Sequence, residues 1–164
     1  KKTVIGINWQ GNPLAEKSWL KGRSIPLEMF SKIIDNNENI KLLSLQKGYG
    51  CEQLEKCTFL EKFVNFQDEV SRIWDFQETL AIIDNCDLVI TSDTLLAHLA
   101  GAIGKETWLL LKYIPDWRWG LDGDKTFWYP SLKIFRQNEK KSWKEVIERL
   151  SLEVNKKFPK DFEY

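Results

Sequence analysis

The sequence predicts an α/β protein, a Rossmann-like, doubly wound parallel sheet of about six strands. Two observations carry this. Short apolar and β-branched runs alternate with helix-spaced segments along all 164 residues. The first run is also nearly continuous in apolar residues, as in a strand covered on both faces rather than wetted on one.

Taken in order, Thr3-Val4-Ile5-Gly6-Ile7-Asn8-Trp9 reads as a strand that ends in the loop Gln10-Gly11-Asn12-Pro13. Pro26 can open a helix, because Leu27, Phe30, Ile33 and Ile34 fall at helical spacing, and Asn36-Asn37 breaks it. A second strand covers 40–45, followed by Gln46-Lys47-Gly48 and a short helix over 51–56. Phe63-Val64-Asn65-Phe66 is a weak third strand, and a helix over 75–85 follows with Phe76, Leu80 and Ile83 inward. The clearest unit comes next: strand 87–91, Ser92-Asp93 as an N-cap pair, helix 94–103, Gly104 as its stop, and strand 106–111. A long aromatic loop over 113–131 leads to a strand at 132–135 and a last helix from Ser142 to about 156, where Ser142-Trp143-Lys144-Glu145 matches a capping box.

Composition narrows the function. Lys+Arg and Asp+Glu are 24 each, so the formal charge is zero, and general attraction to nucleic acid is not expected. Apolar residues at 43% and charged residues at 29% are those of a globular domain. Every apolar stretch is interrupted before the ~20 residues a membrane helix needs. Cys51, Cys57 and Cys86 form no CxxC pair and are odd in number, which favours a reducing, cytoplasmic setting and suggests neither a zinc site nor a disulfide framework. The whole chain is read as one domain. Its start without Met, directly into a strand, is that of a segment of a longer protein.

In a doubly wound sheet, ligands bind at the carboxyl ends of the strands. The candidate segments are therefore Gln10-Gly11-Asn12, Gln46-Lys47-Gly48, Ser92-Asp93-Thr94 and the loop from Lys112. Backbone N–H groups at a helix N-terminus plus a few cations suit a diphosphate. No GxGxxG or GxxxxGK[ST] occurs to support a dinucleotide or P-loop site.

The stretch Ser92-Asp93-Thr94-Leu95-Leu96-Ala97-His98-Leu99-Ala100-Gly101-Ala102-Ile103-Gly104-Lys105 resembles the Asp-Thr…His…Ala…Gly-Lys/Arg signature of heptosyltransferase-like glycosyltransferases. With Trp9-Gln10-Gly11-Asn12-Pro13, Arg23-Ser24-Ile25-Pro26-Leu27, Leu45-Gln46-Lys47-Gly48 and Pro115-Asp116-Trp117-Arg118-Trp119, it is similar to the C-terminal glycosyltransferase-like domain of bacterial tetratricopeptide-repeat proteins. The resemblance implies the nucleotide-sugar-binding half of a two-domain GT-B fold, with an N-terminal acceptor or repeat domain on the same chain. A nucleoside diphosphate sugar is then the donor substrate and no metal or other cofactor is used.

The donor-binding residues this points to are Gly11, Arg23, Lys47, Ser92, Asp93, Thr94 and His98, with no catalytic residue assigned in this half. Arg23 aligns with a basic residue that meets the leaving diphosphate, and Lys47 is a second cation. Two cations and a helix end supply the neutralisation a metal-independent transfer needs. Asp93 is expected to shape the turn, because a carboxylate repels phosphate. His98, the only histidine, lies one turn beyond Thr94 and can donate to phosphate or sugar. Glu52 is a candidate for ribose but reads better as a surface glutamate. Leu95 stands where heptosyltransferases commonly carry glycine, which keeps open a degenerate, non-enzymatic interaction module with the same fold; an epimerase of GT-B architecture is a further rival. Aromatics of the 113–131 loop could stack a base or sugar face or fix the loop; Trp128 and Tyr129 read as structural, and Trp117 to Trp119 are left open.

Overall fold

The computed structural model describes residues 2–35, 37–139 and 142–160. Five parallel strands form one sheet in the order β2-β1-β3-β4-β5: β1 Thr3–Asn8, β2 Ile40–Ser44, β3 Leu88–Ser92, β4 Thr107–Leu111 and β5 Leu132–Arg136. The helices are α1 Gln67–Ser71, α2 Phe76–Asn85, α3 Leu95–Ala102 and α4 Lys144–Lys157. Short 3-10 turns occupy Leu27–Ile33, Cys51–Lys56 and Trp117–Trp119.

Alternation along the strands splits the core into two layers. Ile5, Ile7, Ile40, Leu42, Leu88, Ile90, Trp108, Leu110 and Phe135 face one side, where they meet Phe30 and Ile33 of the Leu27–Ile33 turn and Val146, Ile147, Leu150 and Val154 of α4. On the other face, Leu43, Val89 and Leu109 meet α1 to α3. Gly6 is needed in this second layer because a Cβ there would lie 2.8 Å from Leu45 Cδ1 and 2.9 Å from Cys86 Sγ.

Three expectations change. The weak third strand contracts to one bridge, Leu42 to Phe63, because the chain turns into α1 at Gln67 before a second residue pair can form. Thr94, not the Ser92-Asp93 pair, is the N-cap of α3: Ser92 is still the last residue of β3, and Asp93 spans the turn. The capping box at Ser142 does not form. Trp143, buried in the core, takes the N-cap position with a helical backbone and no side-chain cap.

The strand order fixes where a ligand can sit. From β1 the chain crosses to β2 on one side and later to β3 on the other, so the order reverses at β1 and opens a crevice at the carboxyl ends of β1 and β3.

Candidate functional site

The floor of that crevice is a side-chain network tying three strand ends together. Asn8 ends β1, and its Nδ2 donates to Gln46 Oε1 (2.8 Å) just past β2. The same Gln46 oxygen accepts the N–H groups of Trp9 (3.1 Å) and Gln10 (3.0 Å), while Gln46 Nε2 donates to the carbonyls of Gln10 and Tyr49. Asn8 Oδ1 accepts the hydroxyls of Thr91 (3.2 Å) and Thr94 (2.9 Å) beyond β3. Buried polar groups satisfied this fully make a rigid base rather than a reactive one. Because the Thr94 hydroxyl points down to Asn8, no side chain caps α3, and its first turn keeps N–H groups unmet by a cap.

Above this floor lies a cleft of about 420 Å³, which Gly11, Arg23, Lys47 and Thr94 all line. Arg23 Nη1 donates to the Asp93 carbonyl (2.8 Å), and its Nε lies 3.5 Å from Glu16 Oε1. The guanidinium rests flat on Gly11: a Cβ at that position would be 2.3 Å from Nη2 and 2.4 Å from Cζ. Gly11 is thus required by close approach, and its N–H donates to Ser24 Oγ (3.2 Å). Lys47 donates to the Val70 carbonyl, and burial lowers its pKa. Tyr49, Trp74 and Phe76, all exposed, form an aromatic rim; Trp74 keeps 67% of its surface open.

Asp93 and His98 line an adjoining depression of about 450 Å³, which shares Arg23, Thr94 and Leu95 with the cleft. Asp93 Oδ1 accepts the Trp119 indole N–H (2.9 Å), so its charge is turned towards the aromatic loop. Burial raises its pKa, the Trp119 hydrogen bond acts the other way, and nearby Asp116 adds to the rise. His98 Nδ1 lies 3.0 Å from the Tyr129 hydroxyl, and the ring stacks on Trp119 at 5.2 Å between centroids. Burial lowers the His98 pKa, with Asp93 opposing. Ser92 is fully buried and lines neither space, so its Oγ stands apart from the other six sequence-predicted residues.

Gly11, Arg23, Lys47 and Thr94 are therefore brought into one cleft, and Asp93 and His98 stand beside it. Glu52 accepts the Gly50 N–H (2.8 Å) at the start of its own 3-10 turn. Gln46 lies in a candidate segment of the sequence because it directly follows a strand, whereas the sequence does not point to Asn8 beside it in the floor, to Glu16 as the partner of Arg23, or to the rim of Tyr49, Trp74 and Phe76. Trp119 proves to be a buried anchor, whereas Trp117 is exposed. Among the described residues no group of three or more His, Cys, Asp or Glu comes together to hold a metal, and no helix is long and apolar enough to cross a membrane.

A parallel sheet of order 2-1-3-4-5, helices on both faces and a cleft at the strand-order reversal define a Rossmann-like, doubly wound domain. Among solved structures, the chain is similar to the ADP-heptose lipopolysaccharide heptosyltransferase II of E. coli, with a TM-score of 0.55 and 13% identity over 93% of this chain and 47% of that one. The chain thus spans about half the length of that protein, and at this identity the likeness is one of fold. No family model matches the sequence, and no curated protein does.

Proposed function

We propose that this domain binds a nucleoside diphosphate sugar and is the C-terminal, donor-binding half of a metal-independent GT-B-type glycosyltransferase. In the bacterial protein that contains it, an N-terminal acceptor or tetratricopeptide-repeat region supplies the rest, and the setting is cytoplasmic. One observation carries the reading: Arg23, Lys47 and the uncapped start of α3 converge on one cleft whose rim is aromatic. The base stacks among Trp74, Tyr49 and Phe76. The diphosphate lies across the α3 N-terminus against the Arg23 fork, which Gly11 allows to sit flat. Charge gathers on that diphosphate as the glycosyl bond breaks, and the two cations and the helix end are already in place to stabilise it. Asp93 keeps its carboxylate away from this path by binding Trp119, as a residue that shapes the turn should.

Calorimetric titration of the folded domain with UDP, GDP and ADP sugars tests the proposal. Binding of at least one donor is expected, unchanged by EDTA; no binding by any of them overturns it. A specific observation supports a second reading, a non-enzymatic module that has lost donor binding. Leu95 fills the first position of α3 with its side chain 54% exposed at the cleft, and Glu16 already pairs with Arg23. Under this reading the wild type binds no donor.

A further inference from the structure

The surface beyond the cleft carries a second built feature. Trp19, Ile114, Pro115, Asp116, Trp117 and Arg118 line a depression of about 580 Å³, and Trp19, Asp116 and Arg118 also line the smaller space that contains Asp93 and His98. Trp19 is 62% exposed and Trp117 is 74% exposed. Neither is loosely placed. Lys112, one residue past β4, donates to the carbonyls of Trp19 and Lys21 and so ties the first loop to the fourth strand. Trp117 carries the Arg118 guanidinium over its ring at 5.0 Å and meets Trp128 edge-on at 6.5 Å.

Between these walls sits Asp116, whose side chain is only 4% exposed. One carboxylate oxygen, Oδ1, accepts from the Arg118 N–H (3.1 Å) and from Arg118 Nη1 (2.8 Å). The other, Oδ2, is buried with no hydrogen-bond partner among the described residues. A buried carboxylate oxygen without a donor costs the full desolvation of that group. Asp116 therefore serves this surface by fixing Arg118 through Oδ1. Arg118, held at one end by Asp116 and about half exposed, has further N–H groups to offer to ring or hydroxyl oxygens.

We infer that this depression is a carbohydrate subsite that takes a pyranose ring. The aliphatic face of the ring lies against Trp19 or Trp117, and Arg118, held in place by Asp116, donates to an oxygen of the ring. The pairing of Asp116 with Arg118 makes the anchor neutral overall, which suits an uncharged polyhydroxyl ligand better than an anion or a cation. The subsite joins the cleft through Arg23, Thr94 and Leu95, so the ring can be the glycosyl group of the proposed donor or a separate acceptor sugar. Its identity as part of a donor path rests on the proposed function; its affinity for a sugar ring does not.

The test uses the folded domain labelled with nitrogen-15 and follows the indole N–H signals during titration with methyl glycosides of glucose, galactose, mannose and N-acetylglucosamine, and separately with UDP, GDP and ADP and their sugars. At least one glycoside should shift the Trp19 and Trp117 signals, and Asp116→Asn and Trp117→Ala should each weaken that response by about tenfold. Trp117 is exposed, so its replacement keeps the fold and protects the test against misfolding of the Asp116 variant. A response to methyl glycosides points to an acceptor sugar; a response to nucleotide sugars but not to nucleotides or glycosides points to the donor's own ring. Nucleotide binding without any response of these two indoles to a sugar overturns the subsite and leaves the proposed function standing. Glycoside binding without nucleotide binding supports the subsite and overturns the proposed function. A response that neither variant weakens also overturns the subsite.

Discussion

Two arginines stand at the carboxyl edge of the sheet, and they are used in opposite ways. Arg136, the last residue of β5, spends its guanidinium on the chain: it donates to the carbonyls of Trp119 (2.6 Å), Gly120 (2.9 Å), Asp122 (3.0 Å) and Gly123 (2.8 Å). Those four contacts fold the aromatic loop back over the edge strand, where Asp124 also accepts the Ile134 N–H (2.7 Å) and covers part of the open edge. Arg23 makes one such bond, to Asp93, and its fork lies in the wall of two open spaces. One half of the edge is thus built to stay put, and the other leaves a cation facing a cleft. Charge at a strand end is not a ligand signal until its partners are counted.

Substitutions can break this contrast. Arg136→Ala should cost about 2 kcal/mol in chemical denaturation, since four loop carbonyls lose a charged donor together, and should leave nucleotide affinity nearly unchanged. Gln46→Ala should cost about 2 kcal/mol by the same measurement, because the N–H groups of Trp9 and Gln10 and two carbonyls lose their partner. Arg23→Ala should weaken nucleotide binding by about tenfold or more in calorimetry, and it also lowers stability because Glu16 and the Asp93 carbonyl lose their partner. Gly11→Ala should weaken binding in the same direction by pushing the guanidinium off its seat.

The smallest expected effect is one of pH. Burial raises the Asp93 pKa above that of the unfolded chain, so the folded state holds the proton more tightly. The stability this gives is complete below the ordinary carboxylate pKa of about 4 and is lost as pH rises through the higher folded value. Asp93→Asn keeps an acceptor for Trp119 and removes the titration, so its stability profile should be flatter across that window. His98 has the opposite sign: its pKa is lowered, and the stability it contributes is present above about 6.5 and lost as pH falls through the folded value.

Much of the scaffold was legible because its rules are local. Apolar and β-branched runs pointed to all five strands, and the helix expected over 75–85 forms as α2, with Asp75 as its N-cap accepting the Glu78 N–H. The expected sixth strand failed because pairing depends on a neighbour and on the turn at Gln67, neither of which is written in 63–66. At the candidate site, position after a strand was enough to bring Gly11, Lys47 and Thr94 to one cleft. It could not show that Glu16 reaches Arg23, or that Trp74, 26 residues after Gly48, returns to within 3.9 Å of a Cβ built on that glycine. Tertiary contacts made those assignments. Trp119 and Trp117 are two residues apart in one short turn, yet one is buried against Asp93 and the other open.

If the cleft at the β1 and β3 ends takes a nucleoside diphosphate, the indole N–H of Trp74 in the nitrogen-15 spectrum of the intact domain reports it, with the core residue Trp108 as internal control. One of UDP, GDP or ADP should move the Trp74 signal in a saturable way and leave Trp108 in place, and the effect should be lost in Arg23→Ala. A Trp74 signal unmoved by all three nucleotides, in a protein whose Trp108 signal shows it folded, would contradict nucleoside diphosphate binding there.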